Sequence, residues 1–374
     1  MKLIFGVVLA KFPRASAGHT CATMNWALAF QEMGWDVWLV EELERKQREV
    51  RDDGSSLQED FWVEVCEEFG FSDRQVLIVD GSEEACQKLR EVAADADLFF
   101  NYSGQFHRLD LLGRGTLRVY MDMDPGFTQL WAQVYGKNMN FAGHDRFLTV
   151  GTNFSGDDVL VPPTKVSWVA TVPPVPMDYW RRVAGQVQEI GCFTTVAHWY
   201  GYSDVEWEGR TYGGKRHSLL QMRELPQKLG QPVRIATDLQ PSWGDYDEFV
   251  KAGWEIVPSS EVCRDVPSYL RFVGGSLGEV GIAKLGYVVS RAGWMSDRSV
   301  IYLAMGRPVA LQETGWSGVV EPGAGLLPFE TVDDAARQLR EFLQNYAEHR
   351  AGAESLARTI FSPRRVIGGL MKSL

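Results

Sequence analysis

Short apolar runs alternate with amphipathic segments along this sequence, and the alternation starts twice, once in each half of the chain. Residues 3–9 read as a buried strand, followed by a loop containing Pro13 and Gly18. Residues 20–33 place Ala, Trp, Leu and Phe on one side of a helix, Gly34 ends it, and 36–40 resume the strand pattern. Runs that are apolar at successive positions suit strands covered on both faces, as in a parallel sheet with crossover helices. Helices over 57–69 and 83–94, and strands over 75–79, 98–101, 117–121 and 166–169, continue the series.

Pro173, Pro174 and Pro176 then disfavour a continuous helix or a central strand, which places a linker at 171–176. Beyond it the pattern resumes, with strands expected at 191–197, 233–236, 254–257, 287–289 and 309–312. Helices are expected at 218–229, 297–305 and 332–347. The fold class that follows is α/β, with two doubly wound parallel-sheet domains facing a cleft. The expected division is 1–176 for an N-terminal domain and 177–355 for a C-terminal one, with a tail at 356–374 free to return to the first.

At 374 residues the chain has room for two ordinary cores. Its formal charge of -11 gives no general attraction to phosphate backbones or anionic lipids, although a local basic groove could exist. The five cysteines are scattered and odd in number, without a CxxC or Cys/His cluster, which suits a reducing compartment. The apolar start continues directly into a strand–loop–helix unit, and no stretch approaches the roughly 20 apolar residues needed to span a bilayer. A cytoplasmic protein is expected.

The segment from Ser290 to Ser299, SRAGWMSDRS, is the most informative. Gly293 permits a tight turn and close ligand approach, and the amides that follow open a helix N-terminus able to receive phosphate oxygens. Arg298 can complement their charge, and Ser296 and Ser299 add hydroxyl donors. Equally, Asp297 could simply cap a structural helix with Arg298 in solvent. The next strand ends in Gln312, Glu313, Thr314 and Gly315. Glu313 there could accept hydrogen bonds from a ribose or sugar diol, with Thr314 and Gly315 beside it, or all three could be loop residues.

The string over 287–314, with its GWMSDRS and YLAMGRPVALQETG elements, resembles the GT-B-like glycosyltransferases, specifically the broad family-1-like group. Glu279 and residues 315–327 belong to the same resemblance. It implies two Rossmann-like domains, with a nucleotide-diphosphate sugar bound by the C-terminal one and an acceptor entering from the N-terminal one. On that reading Gly293, Ser296, Asp297, Arg298, Ser299, Glu313, Thr314 and Gly315 are donor-binding residues. The spacing of two glutamates common among retaining members is not evident. No cofactor is implied beyond the donor substrate, a UDP-sugar being one candidate.

On the N-terminal side, His19 follows the first strand and could take a proton from an acceptor hydroxyl near neutral pH, or merely help to start a helix. Inverting members of the fold often place a histidine there. In the segment DMDPG, Asp122 could orient His19 or act as base, and Asp124 could contact the acceptor, although the spacing also suits capping and loop hydrogen bonds. This short acidic pair has no convergent third ligand, so no metal site is assigned. His198 follows the first strand of the second half and could reach a donor phosphate, while 201–216 reads as a mobile specificity loop or an exposed insertion. Glycosyl transfer with inversion to an unidentified hydroxylated acceptor, a nucleic acid included, is the resulting expectation. A nucleotide-sugar epimerase and a noncatalytic nucleotide-sugar-binding protein are the alternatives.

Overall fold

The computed structural model describes residues 1–14 and 16–374. Its first sheet has seven parallel strands: β1 (Lys2–Gly6), β2 (Asp36–Leu43), β3 (Gln75–Val79), β4 (Leu98–Tyr102), β5 (Leu117–Asp122), β6 (Arg146–Thr149) and β7 (Trp168–Ala170), in the order β3-β2-β1-β4-β5-β6-β7. The successive apolar residues of β1 go to different cores. Leu3 and Phe5 pack with Trp26, Phe30 and Phe100, and Ile4 packs on the other face with Ile78, Leu89 and Phe99. Each such side chain contributes about 1.5–3 kcal/mol by leaving water. The faces are covered in part by α1 (Ala17–Glu32), α2 (Leu57–Glu68) and α3 (Glu83–Ala93), while α4 (Phe127–Val134) follows β5.

After α5 (Met177–Ala184) the second sheet is built from β8 (Phe193–Ala197), β11 (Val233–Thr237), β12 (Trp254–Pro258), β13 (Glu279–Gly281), β14 (Val309–Gln312) and β15 (Leu326–Phe329). They are again parallel, in the order β12-β11-β8-β13-β14-β15. In both sheets the strand order reverses beside the first strand, and ligands of doubly wound folds bind outside the carboxyl ends at that reversal. Between β8 and β11 lie a short hairpin, β9 (Val205–Trp207) with β10 (Arg210–Tyr212), and helices α6 (Lys215–Gln221) and α7 (Leu225–Leu229). The remaining helices are α8 (Gly244–Lys251), α9 (Ser259–Val262), α10 (Val266–Gly275), α11 (Leu285–Ser290), α12 (Asp297–Ala304), α13 (Val332–Gln344), α14 (Tyr346–Thr359) and α15 (Pro363–Ser373).

The two sheets share a continuous core. Helix α1 packs on α10, α12 and α15, and Trp180 of α5 donates its indole N–H to Asn25 of α1 at 2.7 Å. A second apolar seam joins α4 to the other half: Phe127 meets Tyr287 and Tyr202, and Leu130 meets Val205 and Tyr212. No helix among the described residues is long and apolar enough to cross a membrane.

Three expectations need correction. Residues 287–289 are helical, inside α11, and the strand lies earlier at β13. Gly286 explains the helix's position, because a Cβ there would stand 2.4 Å from the Phe127 ring. The single helix expected over 218–229 is two, α6 and α7, with Pro226 in the first turn of the second. The segment 201–216 is not an exposed insertion at its centre, since Val205 and Tyr212 of the hairpin are buried in the seam between the halves.

Candidate active site

The segment before α12 reaches the carboxyl edge of the second sheet, where Ser296 caps the helix by accepting the Arg298 amide at 3.2 Å. Arg298 then turns inward. Its Nε donates to Oε1 of Glu279 on β13, and its Nη1 donates to the Val196 carbonyl on β8 at 2.8 Å. The ion pair is deeply placed, with the Glu279 side chain fully buried and that of Arg298 13% exposed.

Around this pair several polar atoms have no partner among the described residues: Arg298 Nη2, Glu279 Oε2, Asp297 Oδ1 and Ser299 Oγ. A buried polar atom left unsatisfied costs about 1–3 kcal/mol, so four within one helical turn and its neighbouring strand single this region out as the candidate site. Lys215, at the start of α6, points to the same place. Burial, with Arg298 and Lys284 nearby, pushes its ammonium well below its ordinary range, against the pull of Glu279. The Asp297 carboxyl is pushed up to about 7, chiefly by burial, with the charge of Asp124 adding to the rise. Lysine, arginine and an open helix N-terminus together favour an anion.

His19 lies in the first turn of α1, on the other half of the chain. Its Nε2 approaches the Val8 carbonyl, and its ring meets Tyr102 edge-on at 6.2 Å and Phe12 at 5.7 Å. A carbonyl only accepts, so Nε2 carries the proton and Nδ1 keeps a lone pair. Burial lowers the His19 pKa, while the Val8 bond and the Asp124 charge oppose that effect. Burial thus holds the imidazole toward its neutral form, with the Nδ1 lone pair available.

Asp122 does not join it. This carboxylate is fully buried and accepts four bonds, from the Asp124 amide, Thr128, Gln129 and Thr149. Its oxygens are committed to the turn after β5, and the expected catalytic role is withdrawn. Asp124 is corrected too: rather than standing free for an acceptor, its Oδ1 accepts from Lys284 at 3.1 Å, from Tyr202 at 2.9 Å and from Tyr287. Burial raises its carboxyl, but Lys284 and the phenols outweigh this and hold it below the usual carboxylate range.

Gly293 serves the contact between the halves, and Thr314 and Gly315 brace the loop that carries it. The Gly293 carbonyl accepts from the Thr152 amide at 3.0 Å and hydroxyl at 2.9 Å, and its amide donates to Thr314 at 2.7 Å. With φ at +80°, a Cβ on Gly293 would lie 2.3 Å from the Asn153 nitrogen. A Cβ on Gly315 would lie 2.4 Å from the Arg291 carbonyl, and the Thr314 hydroxyl is bound to the Trp294 carbonyl at 2.7 Å. Glu313 uses one carboxylate oxygen on the Gly315 amide. His198 is largely exposed, with Nδ1 3.6 Å from Asp238, at the same sheet edge but without contact to the cluster.

Thus Ser296, Asp297, Arg298 and Ser299 come together as expected neighbours, joined by Lys215, Lys284 and Glu279. Among these, the sequence reading missed both lysines and attached no role to Glu279. A separate open groove of about 360 Å³ beside β3, lined by Trp62, Val63, Leu77 and Lys88, holds none of these groups.

Protein-family models give no match to this sequence, and neither do curated protein sequences. Solved structures do resemble it. An alpha-glucosyltransferase in complex with UDP and a 13-mer DNA superposes with a TM-score of 0.62 at 10% identity, covering 100% of this chain and 98% of that one. HepE from Anabaena in complex with UDP-glucose gives 0.56 at 12% identity, covering 100% of both chains. A glycosyltransferase from Rickettsia africae gives 0.53 at 10% identity, covering 100% of this chain and 97% of the other. At such identities the likeness establishes a fold: the two-sheet GT-B arrangement, over the whole chain.

Proposed function

We propose that this chain is a glycosyltransferase that binds a nucleotide-diphosphate sugar between Lys215, Arg298 and the N-terminus of α12. The observation that carries the reading is the group of unsatisfied polar atoms at that helix start, with the Arg298 guanidinium and the Lys215 amine beside it. Residues 177–355 supply the donor site and 1–176 the acceptor side, with 356–374 returning to the latter. UDP-sugars are the first donors to try, because structures of this fold hold UDP or UDP-glucose.

In the reaction, Nδ1 of His19 takes the proton of an acceptor hydroxyl as its oxygen attacks the anomeric carbon. The bond from that carbon to the diphosphate breaks, and its electron pair goes to the leaving phosphate oxygen. Lys215, Arg298 and the α12 amides stabilise that developing charge, which is where electrostatic catalysis acts most strongly. Direct displacement inverts the anomeric centre. The unpaired Oδ1 of Asp297, on a carboxyl raised to about 7, is available to bind a donor hydroxyl.

The acceptor is more consistent with an uncharged hydroxylated molecule than with a polyanion. Four basic side chains at the outlet of β1 and β2 are held by an acid, Arg14 by Glu49, Arg45 by Asp80, Lys46 by Glu44 and Arg48 by Glu59, which leaves Lys11 as the one without such a pair among the described residues of these outlets. Screening donor and acceptor pairs by mass spectrometry tests the proposal. A product heavier by one glycosyl residue, with release of nucleotide diphosphate, supports it. An isomerised donor without acceptor addition would assign an epimerase, and donor binding without any conversion would assign a binding protein.

A further inference from the structure

Glu41, on β2, is 1% exposed, yet it carries a carboxylate in the middle of the first sheet's carboxyl edge. It accepts three consecutive backbone amides of the loop between β1 and α1. Leu9 and Ala10 donate to Oε2 at 2.7 and 2.9 Å, and Lys11 donates to Oε1 at 3.2 Å. Lys11 and the Cys66 thiol of α2 are the charged and titratable groups that face it. An isolated buried carboxylate is costly, and three amides in a row are the compensation. A loop of this length could be anchored by an apolar residue and an ordinary turn. What the carboxylate adds is a fixed path for Leu9, Ala10 and Lys11.

That path bears on the imidazole from both sides. One residue before the anchored amides is Val8, whose carbonyl receives Nε2 of His19. One residue after them is Phe12, whose ring, 56% exposed, meets the His19 ring edge-on at 5.7 Å. The amide of Phe12 also closes a turn onto the Leu9 carbonyl at 3.0 Å, so the ring is carried by the same anchored segment.

We propose that Glu41 is a positioning residue for the transfer reaction, holding the 9–11 loop so that Val8 and Phe12 fix His19 with Nε2 protonated and Nδ1 turned to the acceptor. The inference rests on the reading of His19 as base, but its effect on the ring is measurable without turnover. Glu41→Gln offers one acceptor oxygen and places an amide N–H₂ against backbone N–H groups, so the loop must shift.

The test combines nitrogen-15 NMR of the His19 ring with kinetics, in wild type and Glu41→Gln. The expected result is a changed tautomer balance at His19, a kcat at least tenfold lower, and an unchanged KM for the donor. Glu41→Asp, which keeps the charge on a shorter arm, should move the same signals less and covers the case in which the glutamine variant does not fold. Unchanged His19 signals in a folded variant of either kind would overturn the proposal. Changed signals together with full activity of His19→Ala would instead retain the positioning effect and remove the base role.

Discussion

Asp124, two residues beyond the end of β5, accepts a hydrogen bond from Nζ of Lys284 at 3.1 Å, joining residues 160 positions apart across the two halves. The same ammonium lies 3.4 Å from the centroid of the Tyr202 ring, and Tyr202 and Tyr287 donate their hydroxyls to the same carboxylate oxygen. Both ion-pair partners are about one-fifth exposed, so the pair is only weakly screened. Asp124→Asn should destabilise the chain by about 3 kcal/mol, because it leaves a mostly buried ammonium without its counter-charge. Equilibrium denaturation of the two proteins measures this, and equal midpoints and slopes would remove the latch.

His19→Ala should reduce transfer about 10²-fold or more, the usual worth of a positioned general base. Its affinity for nucleotide diphosphate should stay at the wild-type value, because His19 lies on the acceptor side. Single-turnover rates and a binding titration on the same preparation separate the two quantities. A wild-type rate in the variant would exclude His19 as base.

Gly293→Ala should destabilise the protein by about 2–5 kcal/mol, from a side chain forced into the left-handed region and a clash with neighbouring backbone. The clash is with Asn153 across the interface, not with the candidate ligand position. Thermal unfolding with and without UDP checks this. A loss of UDP affinity with full thermal stability would return Gly293 to the donor site.

The pH dependence of stability should carry a mark of Glu41. Burial raises its carboxyl from an ordinary 4.5 to about 7, against the pull of the Leu9, Ala10 and Lys11 amides and the Lys11 charge. Between those values the folded state binds more protons than the unfolded one, so stability falls as pH rises from about 4.5 to about 7. Asp122, raised to about 6, and Asp297, raised to about 7, act in the same direction, while His19 and His144, both lowered, oppose it. The difference between wild type and Glu41→Gln isolates one contribution: wild type should lose stability relative to the variant across that window. A constant difference would contradict it.

Much of the fold was legible because its evidence is local. The run Gln75–Val79 is a strand at the expected boundaries, and the helix expected over 57–69 ends one residue earlier, at Glu68. Strand β13 escaped notice because three residues with a glutamate at one end and a glycine at the other carry no apolar run. The apolar triplet 287–289 looks the same whether it lies in a buried helix or a strand, and only the approach of Phe127 to Gly286 decides. At the site, Asp297 and Arg298 were legible from a loop that opens a helix. Lys215 was not, since its neighbours Glu279 and Arg298 are brought to it by β13 and α12. Gly293 and Gly315 were legible only as turns for a related reason: a glycine with positive φ announces a close approach without saying to what.

The most direct measurement is a calorimetric titration of UDP into wild type and into Lys215→Ala. No other described residue forms a hydrogen bond or ion pair with the Lys215 ammonium, so the substitution should leave the melting temperature near that of wild type. The predicted result is saturable binding to wild type that weakens at least tenfold in the variant, since a charge-assisted contact to phosphate contributes about 1.5–3 kcal/mol. Equal affinities in two stably folded proteins would contradict the placement of the diphosphate between Lys215, Arg298 and the start of α12.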